Sequence, residues 1–181
     1  GRERLMNLNK ETLGYEAQKA YVTTMMKIVG GGLAAASRVD ADVQRNLAAF
    51  PAGYQICMTV FPNGPSFHMR MDADGIGNVV DAPIGKPDLT IRFKHMTHAF
   101  LVFSFQEGTA QAFANDRMVA DGNVSHSIRL VRCLNRMETL ILPKLIAARA
   151  VKRYDDVPLA EKLSKAIRIY GLVAKSLVTG N

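Results

Sequence analysis

The chain has 181 residues, enough for one domain with a substantial core, and its 48% hydrophobic and 22% charged residues form a globular balance that argues against disorder. No stretch approaches the ~18–20 apolar residues of a membrane span. Gly1-Arg2-Glu3-Arg4 is too charged to open a signal peptide, and Cys57 and Cys133 alone make no disulfide framework, so a soluble, cytoplasmic protein is expected. Of the net charge of +7, most sits late in the chain: residues 143–181 hold eight Lys and Arg against three Asp and Glu.

Residues 1–50 are expected to be helical, with Tyr15, Val22, Met25, Met26 and Val29 at helical spacing and a shorter repeat over Val39–Leu47. Gly30-Gly31-Gly32 interrupts this run and predicts a bend or a close approach of helices. Phe50-Pro51-Ala52-Gly53 ends it. From residue 54, Tyr54, Ile56, Met58 and Val60 alternate with polar residues. Phe67, Met69 and Met71 do so after Pro62-Asn63-Gly64-Pro65, and Leu89, Ile91 and Phe93 after Gly85-Lys86-Pro87. Such period-two alternation predicts strands with one wet and one buried face. Asp74-Gly75 makes a turn before a further short strand at Gly77–Asp81, and the short turns favour an antiparallel meander.

Helices resume at Met96, Phe100 and Phe103, followed by a short one at Thr109–Asn115 carrying Phe113. Arg117–Asp121 predicts another strand, closed by Gly122. The next helix, within 123–142, has Ile128, Leu130, Val131, Leu134, Met137 and Ile141 on its apolar side, and Pro143 is expected to stop or kink it. Finally Asp156, as N-cap, and Pro158 open a helix whose apolar stripe runs from Leu159 to Leu177 beside Lys162, Lys165, Arg168 and Lys175. The fold class is therefore α+β: an antiparallel or mixed sheet of about five strands, covered on one face by helices. The chain divides into an N-terminal helical extension (1–53), an α+β core (54–142) and a basic C-terminal helical extension (143–181), together one structural unit.

Catalytic and cofactor motifs are not found. The glycine triplet lacks GxGxxG or Walker spacing and follows no strand, so no phosphate cradle is expected. His95 and His98 stand three apart on a helix but have no third ligand, and Asp72-Ala73-Asp74-Gly75 fails as a calcium loop because position twelve, which needs a Glu, is Pro83; no metal is expected. There is no G-x-S-x-G elbow, and both cysteines have apolar neighbours suited to packed thiols. Nucleic acid is not indicated, since the aromatics fall on buried faces and are not interleaved with the basic residues.

Pro87-Asp88-Leu89-Thr90-Ile91-Arg92-Phe93, the segment Gln111-Ala112-Phe113-Ala114-Asn115 and Arg117-Met118-Val119-Ala120-Asp121-Gly122-Asn123 follow one another in an order that resembles the sterol carrier protein type 2 family. Asp88, Thr90 and Ile91 match its D-x-T-I strand, Phe113 its middle element, and Gly122-Asn123 the end of its short strand. The likeness covers about residues 54–135. It departs at Asp116, where the family usually has a turn glycine, a conformation Asp tolerates. The resemblance implies a curved sheet and helices enclosing an apolar tunnel for a sterol, fatty acyl chain or related lipid, with no catalytic residue and no cofactor. Met58, Phe67, Met69, Met71, Ile91 and Phe93 would line it from the sheet, and Phe100, Phe103, Phe113, Met118, Leu130 and Leu134 from the other elements. The C-terminal helix would cap the tunnel or dock on an anionic membrane surface. The alternative is an interaction module of the same fold, its interior filled by its own side chains and the Leu159–Leu177 stripe forming a homodimer or partner interface.

Overall fold

A computed structural model describes residues 2–150, with side chains placed for 14–141 and 143; the expected helix after Asp156 lies outside these residues. The elements run α1 (Arg2–Val39), α2 (Ala41–Leu47), β1 (Gln55–Val60), β2 (Ser66–Met71), β3 (Gly77–Val80), β4 (Leu89–Phe93), α3 (Met96–Phe103), α4 (Thr109–Ala114), β5 (Met118–Asp121) and α5 (Val124–Ala150).

The five strands form one open mixed sheet in the order β3-β2-β1-β4-β5. β1, β2 and β3 are the expected meander, with Met58 opposite Phe67 and Met69 opposite Val79. β4 departs from it, pairing parallel to β1 with Met58 beside Ile91, while β5 returns antiparallel to β4. The β3–β4 connection must therefore pass β1. It is pinned there by the Gln55 side chain, whose Oε1 accepts from the Ile84 N–H (2.7 Å) and whose Nε2 donates to the Ile84 carbonyl (2.7 Å).

Local chemistry explains the turns and caps. Asp72 Oδ1 accepts from the backbone N–H groups of Asp74 (2.8 Å) and Ile76 (3.1 Å), so the Asp-Ala-Asp-Gly segment is a polar hairpin turn. Asp40 caps α2 by accepting from Val43 N–H (3.0 Å), and Asn123 caps α5 by accepting from His126 N–H (3.0 Å). Asp116 takes a left-handed backbone (φ 62°) at the turn where the family resemblance has glycine, and its carboxylate accepts from Lys94 Nζ at 2.7 Å. The two ends of the resembling segment meet in space. Asp88 exchanges hydrogen bonds with Gln55, its N–H to the carbonyl (2.9 Å) and its Oδ2 from the N–H (2.8 Å), which closes the start of the β1–β4 pair. Gly122, at φ 147°, passes so near that a Cβ there would lie 2.7 Å from the Asp88 carbonyl oxygen.

Two expectations are corrected. α1 runs unbroken through Gly30-Gly31-Gly32. Gly30 marks a close approach of helix to sheet, since a Cβ there would overlap the Phe67 ring of β2. Packing thus outweighs a helix-propensity cost of about 1 kcal/mol per glycine. α5 likewise continues through Pro143 to Ala150. α1 is not a detached extension: it lies against β2 and β3 and also packs on α2, α3 and α5. A single core joins it to the sheet, from Val22, Met26 and Leu33 to Met69, Ile91, Phe93 and Leu130. Arg136 of α5 ties this layer to α2, reaching Asp40, which is fully buried, through NH2–Oδ1 (3.1 Å) and Nε–Oδ2 (3.3 Å).

Candidate functional site

The inward face of the sheet carries Ile56, Met58 and Val60 of β1, Phe67, Met69 and Met71 of β2, and Leu89, Ile91 and Phe93 of β4, all buried. Methionine is the commonest residue type of this interior. Of nine methionines in the chain, eight belong to the core, among them Met25, Met26, Met96, Met118 and Met137. Unbranched thioethers repack at low cost, so this core can change shape more readily than one built of Val and Ile.

A pocket opens into this layer between sheet and helices. Met58 and Phe93 form its floor, Val29 of α1 and Leu134 of α5 its sides, and Val102 and Phe103 of α3 its roof. Phe105, in the α3–α4 loop, lies at the same pocket with a left-handed backbone (φ 63°). Thr109 of α4 and Glu138 of α5 complete the lining. The empty space, including its open side, is about 300 Å³, but the centre of a water-sized sphere can move through only about 10 Å³ of it. That is room for about one water molecule, so the walls nearly touch in this state.

Among the described residues, Glu138 is the ionisable group in this lining. Its Oε1 accepts from the Thr109 N–H (3.0 Å) and from the Thr109 hydroxyl. Burial pushes its carboxyl up to about 7, against the opposing effect of the two Thr109 hydrogen bonds. The two interior cysteines are held as thiols: burial pushes Cys133 up to about 12, and Cys57 is raised for the same reason. His95 and His98 stack edge to face at 5.2 Å, and burial lowers the His98 imidazole. Among the described residues no group of three His, Cys, Asp or Glu is placed to hold a metal ion.

The residues singled out in the sequence distribute as follows. Met58, Phe93, Phe103 and Leu134 converge on the pocket. Phe67, Met69, Met71, Ile91, Met118 and Leu130 are buried in the surrounding core but not in its walls. Phe100 is half-buried, its ring edge-on to Tyr21 at 5.4 Å. Phe113 is 37% exposed and outside the core: α4 is a helix of six residues, and it turns Thr109 and Ala112 inward instead. Sequence reasoning missed Val29, Val102, Phe105, Thr109 and Glu138. Glu138 carried one signal, standing one helical turn beyond Leu134 on α5 and so sharing its face.

The class these features define is an open mixed sheet with helices packed on one face and an apolar pocket between the layers. Its fold is similar to solved sterol carrier protein 2 domains. The solution structure of the sterol carrier protein domain 2 of Helicoverpa armigera is 21% identical, covers 65% of this chain and 87% of its own, and has a TM-score of 0.43. The ubiquinone synthesis protein UbiJ-SCP2 is 12% identical over 65% of this chain and 91% of its own, with a TM-score of 0.44. Sterol carrier protein 2 from Yarrowia lipolytica, in its apo form, is 16% identical over 64% and 92%, with a TM-score of 0.40. No family model matches the chain, and no curated protein matches it. Among the described residues no helix is long and apolar enough to cross a membrane.

Proposed function

We propose that this chain binds, and carries, an apolar lipid-like molecule between the sheet and the helices, without chemistry on it. The observation that carries the reading is the pocket itself: an apolar lining from five elements, backed by a methionine-rich core that can yield to a flexible guest. Burying about 400 Å² of lipid surface at ~25 cal/mol per Å² would contribute about 10 kcal/mol gross. Opening the walls, ordering the chain and association subtract from this, leaving micromolar affinity within reach. Phe105 and the α3–α4 loop are the segment best placed to swing aside. The basic segment after residue 155 belongs to the same reading as a means of docking on an anionic membrane surface. Liposome binding that ignores both anionic lipid and salt would remove that part.

One observation favours a second reading. With about 10 Å³ free for a water-sized sphere, the interior is nearly filled by its own side chains, as in an interaction module that holds no ligand. The two readings separate by native mass spectrometry of freshly purified protein, followed by organic extraction. A co-purifying lipid near one per chain supports the carrier. A clean apo mass that does not change on incubation with sterols and fatty acids, with a dimer lost on deleting residues 156–181, supports the interaction module.

A further inference from the structure

The pocket is apolar on every side but one, and that side is built. Thr109, 1% exposed, presents both its N–H and its hydroxyl to the same oxygen, Oε1 of Glu138. Glu138 Oε2 accepts no hydrogen bond among the described residues, and Glu138 itself is only partly buried, so this oxygen keeps some contact with solvent. Among the described residues no Lys, Arg or His lines the pocket. A ligand lying along Met58 and Phe93 with its polar end toward α4 and α5 therefore meets, among the described residues, one carboxyl group and no cation.

The chemistry of that end follows. A carboxylate head group would be brought beside a second carboxylate in a site with little water, where like charges repel strongly. A neutral hydroxyl is both donor and acceptor, and its O–H can donate to Oε2. Because burial places the Glu138 carboxyl near neutrality, the group in its protonated form can also donate to the hydroxyl oxygen.

We propose that Glu138, held by Thr109, selects the ligand's head group, so that the pocket takes an apolar molecule ending in a neutral hydroxyl and turns away one ending in a carboxylate. The inference rests on the apolar-ligand reading above and narrows it.

The test compares two probes of equal chain length, dodecan-1-ol and dodecanoate, titrated calorimetrically into the full chain at pH 8 below their aggregation limits. The wild type should bind the alcohol at least about tenfold more tightly than the acid, a modest fraction of what two close charges can produce. Glu138→Gln keeps an acceptor for Thr109 and removes the charge, so the preference should fall toward one. Thr109→Val removes the hydroxyl and leaves the charge, so the preference should persist, which keeps the test decisive if the Gln variant folds poorly. Equal affinity for both probes in the wild type, an unchanged ratio in Glu138→Gln, or a lost preference in Thr109→Val each overturns the proposal while leaving a ligand site. If neither probe binds the wild type, the apolar-ligand reading fails and the head-group proposal with it.

Discussion

Replacing Gly30 by Ala tests how α1 sits on the sheet. A Cβ at this position would overlap Cδ2 and Cε2 of the Phe67 ring and lie 2.6 Å from Cζ. Carbon atoms in contact prefer about 3.5–4.0 Å, so helix and ring must separate by roughly 1 Å. The ring cannot simply turn away, since three of its atoms face the helix and Phe67 is buried on the inward side of β2. Overpacking of this kind costs about 1–3 kcal/mol. Against it stands the gain of about 1 kcal/mol for Gly to Ala within a helix. The expected net is a loss of about 1–2 kcal/mol, measured as a lower midpoint at unchanged slope in urea unfolding followed by circular dichroism. Gly14, on the same helix with nothing within 4 Å of a built Cβ, is the internal control: Gly14→Ala should stabilise by about 0.5–1 kcal/mol. Adding Phe67→Leu to Gly30→Ala should recover part of the loss, as coupling between touching residues requires. A Gly30→Ala protein stabilised like Gly14→Ala would refute the close packing of α1 on β2.

Three further outcomes are expected. Arg136→Leu leaves the buried carboxylate of Asp40 without its guanidinium and should cost about 3 kcal/mol in denaturant unfolding, whereas neutralising exposed Lys86, paired to Asp121 at 3.7 Å, should change stability by less than about 0.5 kcal/mol. Gly122→Ala forces a side chain into a φ of 147° and against the Asp88 carbonyl, so a loss of about 2–4 kcal/mol should appear as a lower thermal midpoint. Glu138 has its carboxyl raised from 4.5 to about 7, so its contribution to stability is complete below pH 4.5 and is lost as pH rises toward and through 7. At 1.36 kcal/mol per unit, discounted for partial exposure, about 2 kcal/mol should disappear over that window relative to Glu138→Gln. Parallel stability curves for the two proteins between pH 4.5 and 8 would contradict it.

The chain wrote its local structure plainly. Period-two alternation located the strands around Met58, Met69 and Ile91, because a sheet with one covered face imposes that period on its residues. The turn chemistry at Asp72, Asp116 and Gly122 was equally legible, since the backbone shapes there suit few residue types. What the tertiary structure decided involves residues distant in sequence. β4 lies parallel to β1 because Asp88 and Gln55 join across 33 residues, a pairing that strand periodicity does not encode. α1 stays helical through three glycines, and at the first of them Phe67 fills the space that the missing side chain of Gly30 leaves. Phe113 turns outward because α4 is only six residues long and buries Thr109 and Ala112 instead. The polar end of the pocket exists because α4 packs on α5 and brings Thr109 to Glu138, 29 residues away. Periodicity reports which face of an element is buried; only packing decides which buried faces meet, and the pocket is made of such meetings.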